Sequence, residues 1–101
     1  MELEIDKITV VNNAADSRFE VQQGGHLAVI DYYREGNNIV FTHTGVPDAI
    51  GGQGIASKMA KTALEYARST DLGVVPLCPF VKAYIRRHPK YQELVSKDFD
   101  G

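Results

Sequence analysis

His43 to Ala60 read HTGVPDAIGGQGIASKMA. The stretch leaves an apolar run, crosses three glycines between Gly51 and Gly54, and settles into helical periodicity. Glycine costs conformational entropy and packs no side chain, so such a cluster marks backbone that turns tightly or comes close to something. A loop entering a helix through GGQGIA exposes unpaired backbone N–H groups at the positive end of the helix dipole, where phosphate or pyrophosphate is stabilised. The plainer reading is a tight turn into a helix, and the place of that turn in the fold weighs between the two.

Working outward, ITVVNN, RFEVQQ, HLAVIDYYR and NNIVFTHT are β-branched and aromatic runs separated by Gly, Asn, Asp and Ser clusters, the pattern of strands joined by turns. REGNN is a short hairpin connection, which makes the last two strands antiparallel neighbours. From Gly54 the period changes: Ile55, Met59, Ala63 and Tyr66 or Ala67 recur at helical spacing. The row Ala56, Ala60, Ala63 and Ala67 lets this helix sit close on a sheet, and STDLG supplies its stop. VVPLC then reads as a strand, and PFVKAYIRR as a closing helix with Pro79 in its first turn and Phe80, Val81, Tyr84 and Ile85 on one side.

The order predicts an α/β mixed sheet: antiparallel N-terminal strands, then a right-handed parallel β-α-β unit from Asn38 to Cys78, then a C-terminal helix. Pro76 removes a ladder donor and so predicts an edge or locally unpaired strand. Ligands of open α/β sheets bind beyond the carboxyl ends of strands, where His43, Thr44, the Gly51 to Ala56 turn and Cys78 converge. That placement favours the anion-binding reading of the glycine turn.

The 101 residues fit one domain, 1–101. Eleven Lys plus Arg against thirteen Asp plus Glu leave a net charge of −2, so any anion site is local and nucleic acid is not expected as a partner. No apolar run approaches the roughly 20 residues of a membrane span. MELEIDKITV has neither a basic lead nor a signal-like core, which makes a cytoplasmic location the expectation. Cys78 is the single cysteine and lies in no Cys/His set at zinc spacing, so a free thiol and no metal are expected. A Walker A loop requires Lys directly before Ser or Thr, whereas Ser57 precedes Lys58 here. A dinucleotide fingerprint fails as well, since Ser57 stands at the third glycine and Asp71 lies before the next strand.

Gly51-x-x-Gly54-x-Ala56 after an antiparallel meander, followed by helix, strand and helix, resembles the acetyl-CoA pyrophosphate loop of the GNAT N-acetyltransferase superfamily. RFE, HTGVP, GGQGIASK, CPFV and YIRRHPKY, in this order from about Phe19 to Tyr91, resemble its small single-domain members. Two departures stand out: Gly51 occupies a position usually held by Arg or Gln, and there is no room after the first strand for the two helices of larger members. The resemblance implies a GNAT-like fold, acetyl-CoA as cofactor and an amine acceptor: a small amine, a peptide N-terminus or a protein lysine. It also implies a cofactor-facing set of Thr44, Val46, Gly51, Gly52, Gln53, Gly54, Ile55, Ala56, Ser57, Cys78, Phe80 and Tyr84. A monomer is expected, and a non-catalytic CoA-binding module is the alternative.

Acetyl transfer needs a neutral amine, donors to the developing oxyanion and a proton for the leaving thiolate. The resemblance gives the last task to Tyr84, which at helical spacing from Phe80 and Val81 also reads as a core aromatic. Cys78 lies at a strand end immediately before Pro79, at a helix N-terminus that favours thiolate. It reads as an acetyl carrier, as a wall of the thioester channel, or as a small buried hydrophobe. His43 alternates with Ile39 and Phe41, so it reads as a core histidine or, at the carboxyl end, as a base for the amine or an orienter of Cys78. His26 beside Gly24 and Gly25 reads as an exposed turn residue. Lys82, Arg86, Arg87, His88 and Lys90 form a basic cluster, read either as a solvated face or, through Arg87 or His88, as partner to a CoA phosphate.

Overall fold

The structure, a computed structural model, describes residues 8–97 and 99; the reading of the opening residues as lacking a basic lead falls on 1–7, outside the described residues. The chain runs β1 (Val11–Asn13), β2 (Arg18–Gln23), β3 (His26–Glu35), β4 (Asn38–Gly45), α1 (Ile55–Ser69), β5 (Gly73–Pro76) and α2 (Pro79–Arg87). One sheet takes these strands in the order β1-β2-β3-β4-β5. The first three junctions are antiparallel and β4 to β5 is parallel, as the element order predicts. Gly24 (φ 55°) and Gly25 (φ 79°) make the two-residue turn between β2 and β3, whose end residues Gln23 and His26 face each other. Positive φ at both positions matches the right-handed twist of the strands, and a side chain there would be strained.

Hydrophobic alternation sets which face is buried. Phe19, Val21, Ala28, Ile30, Tyr32, Ile39 and Phe41 point to one side, where α1 and α2 cover them. Fully burying each aromatic or aliphatic side chain of this kind stabilises by roughly 1.5–3 kcal/mol. From α1, Ile55, Met59, Ala60, Ala63, Leu64 and Ala67 are buried, and the small alanines bring its axis close to the strands. Phe19 meets Tyr66 of α1 edge-on at 5.7 Å and tilts against Tyr32 at 5.4 Å.

α1 ends in a Schellman arrangement: Leu72 N–H reaches Ala67 C=O at 2.9 Å, Asp71 N–H reaches Arg68 C=O at 3.3 Å, and Asp71 takes the left-handed conformation (φ 60°). Asp rather than Gly fills this position because its short polar side chain tolerates left-handed backbone. Two strands are shorter than the sequence suggests. β1 pairs only over Val11–Asn13 of ITVVNN, and β5 ends at Pro76, leaving Leu77 and Cys78 of VVPLC outside the ladder. β5 is an edge strand, as Pro76 requires.

A C-terminal turn over Pro89–Leu94 is tied to α1. Tyr91 is 1% exposed, and its hydroxyl donates to Glu65 Oε2 at 2.7 Å. Arg68 pairs with Glu93 at 2.8 Å and donates to Lys90 C=O at 3.3 Å. Burial and then the Glu65 hydrogen bond push the Tyr91 phenol from its ordinary 10.0 up to about 12. A group raised in the folded state contributes stability that is complete below its unfolded value and is lost as pH climbs through the folded one. Urea denaturation across pH 9 to 12 should therefore show stability falling between about 10 and 12. Tyr91→Phe should flatten that fall while costing about 1 kcal/mol at neutral pH, and Tyr91→Ala should cost about 3–5 kcal/mol.

Candidate active site

The β4–β5 ladder runs only from Asn38 opposite Gly73 to Phe41 opposite Pro76. Beyond it β4 continues to Gly45 against β3, while β5 stops and the chain turns into α2. Cys78 N–H donates to Phe41 C=O at 2.9 Å and ties the root of the resulting gap. A gap between two parallel strands at their carboxyl ends is where an α/β sheet accepts a ligand.

A register shift decides which side chains line this gap. Tyr32 faces Phe41, yet Asp31 faces His43, so Thr42 is an extra residue on β4. Its hydroxyl donates to Asp31 C=O at 3.3 Å across the irregularity. One inserted residue reverses side-chain parity along the rest of the strand. The alternation that puts His43 with Ile39 and Phe41 is therefore overturned: His43 is exposed on the outer face, opposite Asp31. Thr44, opposite buried Ile30, takes the inner face instead. The signal in the sequence is weak: Ile39, Val40 and Phe41 are all buried, which already breaks a strict two-residue period.

The inversion joins two of the expected residues. Thr44 Oγ1 lies 3.0 Å from Cys78 Sγ, and Cys78 is 2% exposed. Cys78 is the N-terminal cap residue of α2, with Pro79 next and no side-chain cap bond. The thiol thus has a hydroxyl neighbour and a helix N-terminus beside it.

α1 begins at the loop of the opening stretch. Gly51 closes a short turn with its N–H on Asp48 C=O at 3.1 Å, and Gly52 and Gly54 hold φ of 77°. Gly54 caps α1 without any side-chain bond, and the first turn carries no acidic residue. Gly51, Gly52, Gln53, Gly54 and Ser57 are exposed, Ala56 is half-buried and Ile55 is buried as the anchor. Helix geometry leaves the first N–H groups of α1 without intrahelical acceptors, so the loop presents donors and a positive dipole end to solvent.

The remaining expected residues pack along α2. Tyr84 is 8% exposed and lies among Phe80 at 6.5 Å, Tyr91 at 6.1 Å and His88, whose ring stacks on it at 4.0 Å. Burial, then the Glu65 carboxylate, push the Tyr84 phenol upward, so it stays protonated at neutral pH and has a proton to donate. No hydrogen bond joins it to Cys78 among the described residues. His88 Nδ1 meets Tyr84 C=O at 2.9 Å, Arg87 is exposed, and Val46 is half-buried against the core. His26 is exposed at its turn. A cavity of about 200 Å³ lies elsewhere, between α2 and the C-terminal turn, and neither the glycine loop nor Cys78 lines it.

The loop geometry separates two glycines. Gly51 has an ordinary extended backbone (φ −70°), and a Cβ there would meet Asp48 C=O at 3.5 Å, a normal contact. Gly51→Ala should hold or raise the urea midpoint, because alanine restricts the unfolded chain. Gly54→Ala should lower stability by about 1 kcal/mol, because a Cβ in the left-handed region is strained.

Comparison with known proteins agrees with this architecture. Residues 18–94 match the family model described as GCN5-related N-acetyl-transferase. The protein NATD1 of Mus musculus is 36% identical over 90 residues, covering 86% of this chain and 82% of the relative. NATD1 of Homo sapiens shows the same identity and covers 80% of the relative. The NMR solution structure of a GCN5-like protein from Staphylococcus aureus superposes with a TM-score of 0.68 at 28% identity, covering 91% of each chain. On this match, which spans every element from β2 to the C-terminal turn, the chain belongs to the GCN5-related N-acetyltransferase family.

Proposed function

We propose that this protein binds acetyl-CoA at the N-terminus of α1 and transfers the acetyl group to an amine. One observation carries the reading: the uncapped glycine loop stands at the carboxyl end of β4, beside the gap whose inner lip is Thr44 and Cys78. Backbone N–H groups from Gly52 to Ser57 would hold the pyrophosphate, with Gly51 shaping the turn before them, since the anion needs donors and positive potential rather than a particular side chain. The usual Arg or Gln at the Gly51 position is therefore dispensable for the anion itself. Acetyl-CoA supplies an activated acyl group as a thioester. Thr44, Cys78 and Phe80 would line its approach, and Arg87 or His88, at the C-terminal end of α2, would meet a CoA phosphate.

The chain's own groups divide the proton work. His43 on the outer lip takes a proton from the acceptor amine, and Tyr84, kept protonated by burial, supplies one to the departing thiolate. Cys78 has two roles open to it, acyl carrier or channel wall. The Thr44 hydroxyl, 3.0 Å away, serves either by steadying charge on sulfur.

Calorimetry should show acetyl-CoA binding to the wild type and severe weakening in Gly54→Val. Brief incubation with acetyl-CoA followed by mass spectrometry should add an acetyl mass to Cys78 that an amine discharges, if sulfur is the carrier. Transfer that survives Cys78→Ala assigns it to the channel wall. Tyr84→Phe should lower kcat by on the order of 10² with cofactor affinity unchanged, whereas a loss confined to stability means packing alone. Binding without acetylation of any amine, peptide or protein lysine would leave a CoA-binding module.

A further inference from the structure

Pro76 ends the ladder of β5 with no N–H to offer, and the chain turns away there, Leu77 N–H returning to Val75 C=O at 3.1 Å. The C-terminal turn comes back alongside β5 at Val74, where Val95 makes an isolated bridge and Ser96 N–H donates to Val74 C=O at 2.8 Å. Beyond that tie a space is left between the end of β5, α2 and the returning chain. It is the cavity of about 200 Å³, whose hydrocarbon walls are Pro76, Ile85, Val95 and Phe99 and whose polar groups are Lys82, Arg86 and Gln92. Pro76 and Ile85 are buried, Val95, Phe99 and Lys82 are half-buried, and Arg86 and Gln92 are exposed, so hydrocarbon forms the inner part and the polar groups the mouth.

The charge at that mouth has one sign. Lys82 and Arg86 stand four residues apart on α2, one turn from each other on the same face, where like charges repel. Neither side chain has a hydrogen bond or an ion pair among the described residues. The Lys82 ammonium lies 5.9 Å from the centre of the Phe99 ring, a contact that leaves its three N–H donors unused. Glu93, next to Gln92 in the C-terminal turn, gives its carboxylate to Arg68 at 2.8 Å instead. Two cations call for an anion, and a guanidinium fork with an ammonium beside it suits the two oxygens of a carboxylate. The walls behind them call for an apolar body, which inorganic phosphate lacks. Phe99 is already faced by Lys82, so the walls left to an occupant are the aliphatic Pro76, Ile85 and Val95. The volume bounds its size: an apolar cavity of roughly 150 Å³ holds one benzene molecule, so this one takes a short chain together with its carboxylate.

We propose that this cavity binds a short-chain aliphatic monocarboxylate, with Lys82 and Arg86 holding the carboxylate and Pro76, Ile85 and Val95 against the chain. The site is separate from the glycine loop and from Cys78, and it stands whether or not the acetyl-transfer reading does.

The probe is hexanoate, added without acetyl-CoA to the full, isotopically labelled chain and followed by NMR. Saturable amide shifts should appear at Lys82, Ile85, Arg86, Val95 and Phe99, and nuclear Overhauser contacts should join the hexanoate chain to the methyls of Ile85 and Val95. Hexanol, which keeps the chain and loses the charge, should bind at least about fivefold more weakly, and inorganic phosphate should shift neither Ile85 nor Val95. Lys82→Gln and Arg86→Gln should each raise the hexanoate Kd about fivefold, and Arg86→Lys should raise it less. Neither side chain lies in the core, so spectra of the variants should be unchanged away from the cavity. Acetyl-CoA added afterwards should leave the hexanoate contacts in place, whereas displacement would make the cavity part of the cofactor site and overturn the inference. No saturable shifts at millimolar hexanoate, contacts centred on other residues, hexanol binding as well as hexanoate, or a Kd indifferent to both Gln variants would each overturn it too.

Discussion

The extra residue at Thr42 is the constraint on which the rest of this arrangement depends. The hairpin from Glu35 to Asn38 fixes the pairing of β3 with β4, and alternation carries Ile39 and Phe41 into the core. Had the ladder continued unbroken, His43 would have followed them inward and Thr44 would have faced solvent. One inserted residue exchanges the two, and its hydroxyl bond to Asp31 C=O holds the exchange in place. The gap itself opens because β5 ends at Pro76 while β4 continues to Gly45. The bulge decides which residues stand on the lips of that gap.

The helices stand ready on the inner side of that gap for separate reasons. α1 is fixed by its alanine-rich buried face and by the Schellman turn at its far end, and its glycine cap makes no side-chain bond. α2 is fixed by Val81, Tyr84 and Ile85 in the core and by the bond from Tyr91 to Glu65 beneath it. A protein of net charge −2 can therefore present a locally positive site, because the relevant charges are backbone dipoles. The same packing keeps the phenols of Tyr84 and Tyr91 protonated well into alkaline conditions.

Much of this is legible from residue order alone. The switch from two-residue to helical periodicity at Gly54, the turn glycines, and Pro76 as a mark of an edge strand are local signals with local causes, and each corresponds to what the chain does. That Thr44 and Cys78 both lie at the carboxyl ends of neighbouring parallel strands follows from topology, whereas their contact depends on the bulge. The face occupied by His43 does not follow from topology, because a bulge is set by how two strands pair and not by one strand's alternation alone. The ends of β1 and β5 escape sequence reading as well, since a strand extends only as far as its neighbour supplies partners.

β5 also determines how the sheet ends. An edge strand offers a row of main-chain donors and acceptors to any passing chain, and natural sheets guard against that. Here Ser96 N–H occupies Val74 C=O at 2.8 Å, Val95 bridges Val74, and Pro76 has no N–H to offer. At the opposite edge β1 is only three residues long. Neither border can template a further strand of any length, so the parallel junction stays open at its carboxyl end without inviting another molecule to zip it shut.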